Sequence, residues 1–305
     1  MKRLKRAITT AAICCVVALT LTGCDILPEP TPTQEEPITT SPDMSASSER
    51  VVELQKYTGQ LQIDTITSYY MQLDSSQKKI YDFIYDSVSN LKTGYLDVAS
   101  AVGAPVVASE FSDIMTYVSL DHPELYWFPT TFAYQYKSDD LNSVYNVSFT
   151  DAYQFHELGQ KSKTIDDMFT SSVDEVYNAI PKGTNSTKAE WIAQTLMGMA
   201  EYDNNEANYR LEQSAYSVFC TDKTICGGWS KAYKLLCDKA NIPCSILFLP
   251  IKDYNGKEFY HAFNLISVDN KEVCVDLTND FTVTDDLSYK EYVQMLARHG
   301  WYVNE

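Results

Sequence analysis

The chain reads as an α+β protein, and three observations carry that reading. Apolar residues recur at helical spacing through much of residues 74–202, the step Cys226-Gly227-Gly228 opens one more such stripe, and three strand-like runs crowd into residues 245–277. A helix followed closely by short-linked strands favours an antiparallel sheet with a helix on one face. With 45% hydrophobic and 21% charged residues and only 11 Gly and 11 Pro in 305, the composition excludes collagenous, wholly disordered and multi-span membrane chains. The net charge of −17 makes nucleic acid an unsuitable partner.

In chain order, Lys2, Arg3, Lys5 and Arg6 precede the uncharged stretch Ala7 to Gly23. That stretch is short of the roughly 20 apolar residues of a membrane span and has the dimensions of a signal peptide, assigned to residues 1–23. It closes on Leu21-Thr22-Gly23-Cys24, which resembles the lipobox of bacterial lipoproteins. The resemblance implies a diacylglyceryl thioether on Cys24 and a protein lipid-anchored at the extracytoplasmic face of the cell membrane, where each buried CH₂ contributes about 0.8 kcal/mol. Residues 24–50 carry Pro28, Pro30, Pro32, Pro37 and Pro42 among Ser, Thr and Glu, with hardly an apolar side chain after Leu27. They cannot bury enough surface to fold and read as a flexible linker with a reach of about 25 Å.

Residues 51–158 are expected to form an N-terminal α+β module and residues 159–305 a second domain. Asp74 with Gln77 can cap a helix carrying Ile80, Phe83, Ile84, Val88 and Leu91, and Phe111, Ile114, Met115 and Val118 mark a second one. The second should stop at His122, because Pro123 disfavours helical geometry in the residue before it. Phe132, Tyr134, Tyr136 and then Tyr145, Val147, Phe149 alternate on either side of a polar stretch and read as a hairpin. A further helix runs from Ile165 to Ile180, and Thr187 with Glu190 forms a capping box for a helix reaching about Tyr202. Trp229, Ala232, Tyr233, Leu236 and Cys237 continue the Cys226 stripe, and strands follow at Ser245–Leu249, Phe259–Ser267 and Glu272–Leu277, with Asp253 to Gly256 as a turn.

A thiol becomes a strong nucleophile at neutral pH when a helix N-terminus or a neighbouring imidazolium stabilises its thiolate. Cys226 sits where the glycines open a helix. His261 begins the run His261-Ala262-Phe263-Asn264-Leu265, and Asp276 lies in the next run, so antiparallel pairing would bring the carboxylate beside the imidazole. A carboxylate there orients the ring and favours its protonated form.

The segments Ser214-Ala215-Tyr216, Cys226-Gly227-Gly228-Trp229-Ser230-Lys231-Ala232, His261-Ala262-Phe263-Asn264-Leu265 and Val275-Asp276-Leu277-Thr278 together resemble the transglutaminase-like superfamily, with its papain-like Cys-His-Asp logic. The resemblance implies a papain/transglutaminase-like core in residues 159–305. Cys226 would be the nucleophile, His261 the general base and acid, and Asp276 its orienting partner. It implies action on amide bonds of peptides, proteins or cell-wall peptides through a thioester, by hydrolysis or by transfer to an amine, with no cofactor. Tyr202-Asp203 also matches a pair that often precedes such cores. The family often has Trp where Phe263 and Asn279 stand, so the aromatic walls of the cleft differ here. Tyr69-Tyr70, Gln77 to Tyr81 and Asp121 to Trp127 are similar to the region preceding such domains in bacterial lipoproteins.

The remaining reactive residues receive plainer readings. His122 and His156 lack a paired Cys motif and His299 sits in a polar segment, so all three are structural or exposed. Cys220, Cys237, Cys244 and Cys274 allow three disulfide connectivities, with Cys237 and Cys244 the pair to test first, or they are unpaired packing thiols. No Cys-x-x-Cys step or EF-hand loop is present, and no metal is expected. The alternative function on the same fold is an envelope binding or scaffolding module without turnover.

Overall fold

The computed structural model describes residues 47–53, 66–149, 162–205 and 208–303. The signal peptide, Cys24, most of the linker, His156 and the boundary expected at 158/159 lie outside them. The fold is α+β.

The linker expected through residue 50 gives way earlier. Strand β1 (Ser47–Glu53) pairs antiparallel with β4 (Thr131–Lys137), from Ser47↔Lys137 to Glu53↔Thr131. Even a Ser-rich segment gains ladder hydrogen bonds by covering an open strand edge, and the Arg50 guanidinium sits 5.0 Å from the Tyr136 ring centre. Next come α1 (Tyr69–Gln72) and α2 (Ser75–Ser89). The expected capping box of α2 is present: Asp74 accepts from the backbone of Ser76 and Gln77, and Gln77 Oε1 accepts from the Asp74 N–H at 3.2 Å. After β2 (Leu96–Asp97), α3 (Val98–Val102) and β3 (Val106–Val107), α4 (Ala108–Asp121) buries Phe111, Ile114, Met115 and Val118 and ends at His122, as Pro123 requires. The expected hairpin forms between β4 and β6 (Asn146–Ser148), with Tyr134 opposite Val147, while β5 (Ser143–Val144) pairs with β3.

The second half opens with α5 (Lys163–Asn178) and α6 (Asn185–Met199). The cap of α6 is Thr184, whose Oγ1 accepts from the Thr187 N–H at 3.2 Å, so the expected Thr187/Glu190 box is not the helix start. Thr184 follows Pro181-Lys182-Gly183 directly and meets the first free N–H groups of the helix one turn earlier. Short elements follow: β7 (Glu201–Tyr202), α7 (Tyr209–Glu212), α8 (Ala215–Cys220) and β8 (Lys223–Thr224), with β7 and β8 parallel. Helix α9 (Cys226–Lys239) leads into β9 (Cys244–Lys252), β10 (Glu258–Val268) and β11 (Lys271–Val275). Helix α10 (Tyr289–Arg298) and β12 (Tyr302–Val303) follow.

The second sheet has the order β11-β10-β9-β12, all antiparallel. One face, with Ile246, Ala262, Ile266 and Val273, joins the main core shared with α9, while Leu249, Phe263, Leu265 and Cys274 pack with Tyr292 and Leu296 of α10 on the other. Residues from the two halves meet through buried polar bonds. Tyr69 donates to the Ile246 carbonyl at 2.8 Å, and Ser214 Oγ donates to the Tyr126 carbonyl at 2.7 Å. Among the described residues no helix is long and apolar enough to cross a membrane.

Candidate active site

Cys226 is the first residue of α9, so its N–H and those of Gly227 and Gly228 belong to the helix end that lacks intrahelical acceptors. The turn delivering it is held by a polar knot. Ser217 Oγ meets Thr224 Oγ1 at 2.7 Å and the Ser214 carbonyl at 2.8 Å, and Thr224 Oγ1 also reaches the Glu212 carbonyl. Gly228 lies against that knot: a Cβ there would stand 2.1 Å from Thr224 Oγ1 and 2.3 Å from the Glu212 carbonyl oxygen. Only glycine fits. Further along α9, Trp229 Nε1 donates to the Leu196 carbonyl at 3.2 Å and fixes the helix against α6.

His261 lies on β10, one of the two inner strands of its sheet, opposite Leu249 of β9. The register of Asn264 opposite Val275 puts Asp276, one step beyond β11, diagonally across from His261 on the same face. His261 Nε2 and Asp276 Oδ2 are 2.9 Å apart, with 4% and 1% of their side-chain surfaces exposed. The Cys226 thiol interacts with the same imidazole and adds to the forces that raise its pKa. Burial alone would lower the His261 pKa. The Asp276 charge and hydrogen bond, with the Cys226 contact, outweigh it and raise the imidazole to about 10. Burial likewise opposes the Asp276 charge, and the His261 pairing together with bonds from Asn279 and Tyr292 holds the carboxyl below its usual range.

The structure thus brings together the three residues singled out in the sequence and adds two that were not. Tyr292 OH donates to Asp276 Oδ2 at 2.7 Å, and Asn279 Nδ2 donates to the same oxygen at 2.6 Å. Asn279, where the resembled family often has Trp, binds the carboxylate and forms no aromatic wall. Tyr292 carried a legible signal: Ser288 and Glu291 form a capping box four residues ahead of a Tyr292/Leu296 stripe. Phe263 stays aromatic and stacks near the His261 ring, with centroids 6.1 Å apart. Tyr202 lies near Trp229, with 6.3 Å between ring centres. Its neighbour Asp203 bonds Asn205 and Asn208. Burial, followed by the Asp203 hydrogen bond and charge, pushes Glu212 up to about 7.

Cys237 and Cys244 are side by side, both buried and both free thiols, with Asn264 Nδ2 3.4 Å from the Cys244 sulfur. His122 pairs with Glu124 at 2.8 Å and packs on Tyr85, and His299 Nδ1 reaches the Met295 carbonyl at the end of α10. His122 is half-buried and His299 is exposed. Among the described residues no three His, Cys, Asp or Glu side chains converge on a metal position.

No protein-family profile matches the chain, and no curated protein matches it. Among solved structures it is similar to a TGase at 17% identity, over 47% of this chain and 43% of that one, with a TM-score of 0.34. It is also similar to a candidate cysteine protease from Cytophaga hutchinsonii at 12% identity, over 50% of this chain and 58% of that one, with a TM-score of 0.30. The chain spans about half the length of these structures.

Proposed function

We propose that the protein is a thiol enzyme of acyl transfer acting on amide bonds. The observation that carries this is the buried His261–Asp276 pair at 2.9 Å, with the Cys226 thiol interacting with the same imidazole. Cys226 Sγ attacks the amide carbonyl and forms the S–C bond while the carbonyl π electrons move to oxygen. His261 carries the thiol proton to the leaving nitrogen as the C–N bond breaks, which leaves a thioester. Water or an amine then attacks the thioester, His261 takes the nucleophile's proton, and the thiol is released. Asp276 holds the imidazole in orientation and stabilises its cation. The Cys226 backbone N–H at the start of α9 supplies one donor to the developing oxyanion. Water as acceptor makes the protein a peptidase or amidase, and a lysine amine makes it a cross-linking enzyme.

Exposure of the protein to glutamine-containing peptide amides, followed by an acid quench and mass spectrometry, should show an acyl adduct on Cys226 that hydroxylamine removes. Cys226→Ala should show none. Absence of any adduct on folded wild-type protein would favour the non-catalytic envelope module.

The Leu21-Thr22-Gly23-Cys24 step behind a basic, apolar leader supports lipid anchoring at Cys24 outside the cytoplasm. Labelled palmitate should enter the wild-type chain and be lost in Cys24→Ser, and equal labelling of the two would count against the anchor.

A further inference from the structure

Lys231 has a setting that the thiol chemistry leaves unexplained. It lies one turn beyond Gly227 on the same side of α9, about 6 Å further along the axis, and its ammonium meets Ser119 Oγ of α4 at 2.7 Å. That is its one hydrogen-bond partner among the described residues, and no carboxylate pairs with it there. The chain has 41 acidic residues against 24 basic, so a lack of carboxylates does not explain a cation left without a counter-ion. Burial lowers its pKa to about 8, and the half-buried ammonium keeps unfilled donors that an anion could meet.

What lies in front of it is a cavity of about 60 Å³, room for several waters or a carboxylate-bearing chain. Lys231, Gly227, Gln213, Ala262 and Phe248 line it. Gly227 follows Cys226 and Ala262 follows His261, so the cavity borders the backbone that carries the thiol and the imidazole, although neither of those side chains lines it. Ser119 Oγ accepts from the ammonium, which leaves its own proton available to a second oxygen of the same anion.

We propose that Lys231 and the Ser119 hydroxyl form an anion subsite that receives a carboxylate carried by the acyl donor whose amide carbonyl meets Cys226. The proposal rests on the thiol-enzyme reading above and adds a substrate class to it, an acyl donor bearing a carboxylate within a few bonds of the reacting amide.

The test compares wild-type protein with Lys231→Met and Lys231→Gln in two measurements. In the first, thermal unfolding is followed in succinate and in sodium chloride at equal ionic strength. Succinate should raise the wild-type midpoint by about 3 °C and leave both variants unmoved. An equal response in all three proteins overturns the subsite, whatever Cys226 does. In the second, Cys226 is alkylated by N-iodoacetylglycine and by the matching amide. The acid should react about tenfold faster than the amide in wild type, with the ratio near one in both variants. A wild-type ratio near one beside a genuine succinate response means that the site holds free carboxylates and does not serve the thiol, which overturns its role in substrate selection. If Cys226 resists both reagents while the succinate response holds, the thiol-enzyme reading fails and the anion subsite stands without it.

Discussion

Four donors converge on the Asp276 carboxylate: His261, Asn279 and Tyr292 on Oδ2, and the Thr278 N–H on Oδ1 at 3.1 Å. A fully buried carboxylate needs such satisfaction, since each missing partner exposes the desolvation cost of its charge. Tyr292→Phe keeps the ring packed on Phe263 and removes one donor. It should lower stability by about 1–3 kcal/mol. It should also raise the Asp276 pKa, because the Tyr292 bond is one of the interactions that depress it. The pH below which Cys226 loses its enhanced alkylation should therefore move upward. A loss of stability with an unmoved pH profile would make Tyr292 a packing residue alone.

At the scale of elements, the start of α9 depends on close approach to the turn before it. A Cβ on Gly228 would meet Thr224 Oγ1 at 2.1 Å, whereas one on Gly227 meets nothing nearer than Gln213 Cα at 3.5 Å. Gly228→Ala should cost about 3 kcal/mol or more in chemical denaturation, and Gly227→Ala should stay within about 1 kcal/mol of wild type. Similar costs for the two would contradict this packing. The same contrast separates what could be read in the sequence from what could not. Helix α2 announced itself through Asp74, Gln77 and a clear stripe, α4 through the stop at Pro123, and the three central strands through alternation, because each signal is local. The pairing of His261 with Asp276 followed from two short-linked strands. Strand β1 was not legible, since its residues gain their conformation from the open edge of β4, and neither were β7 and β8, which are two residues each and exist only as partners. Helix α10 was missed because it buries just Tyr292 and Leu296, although its Ser288/Glu291 cap was in view.

For the whole molecule, the buried ion pair links the site to folding. The His261 pKa is raised to about 10 from 6.5. Its contribution to stability is therefore fully present below pH 6.5 and is lost as pH rises from there through 10, because the folded state binds the proton more tightly than the unfolded one. Between pH 6.5 and 8 this loss should amount to about 2 kcal/mol, seen as a falling denaturation midpoint that flattens in His261→Gln. Lys231, lowered to about 8 from 10.5, acts in the opposite sense and higher up, with stability regained as pH rises from 8 toward 10.5. A wild-type stability that is level across pH 6.5–8 would contradict the pairing. The central claim is that Cys226, His261 and Asp276 act as one unit, and its most direct test is the rate of iodoacetamide alkylation at each cysteine from pH 4 to 9, resolved by peptide mass spectrometry in wild type and His261→Ala. The account predicts that Cys226 alone reacts rapidly below pH 7 and that this enhancement disappears in the variant. A Cys226 that reacts no faster than an ordinary thiol, or is indifferent to the loss of His261, would contradict it.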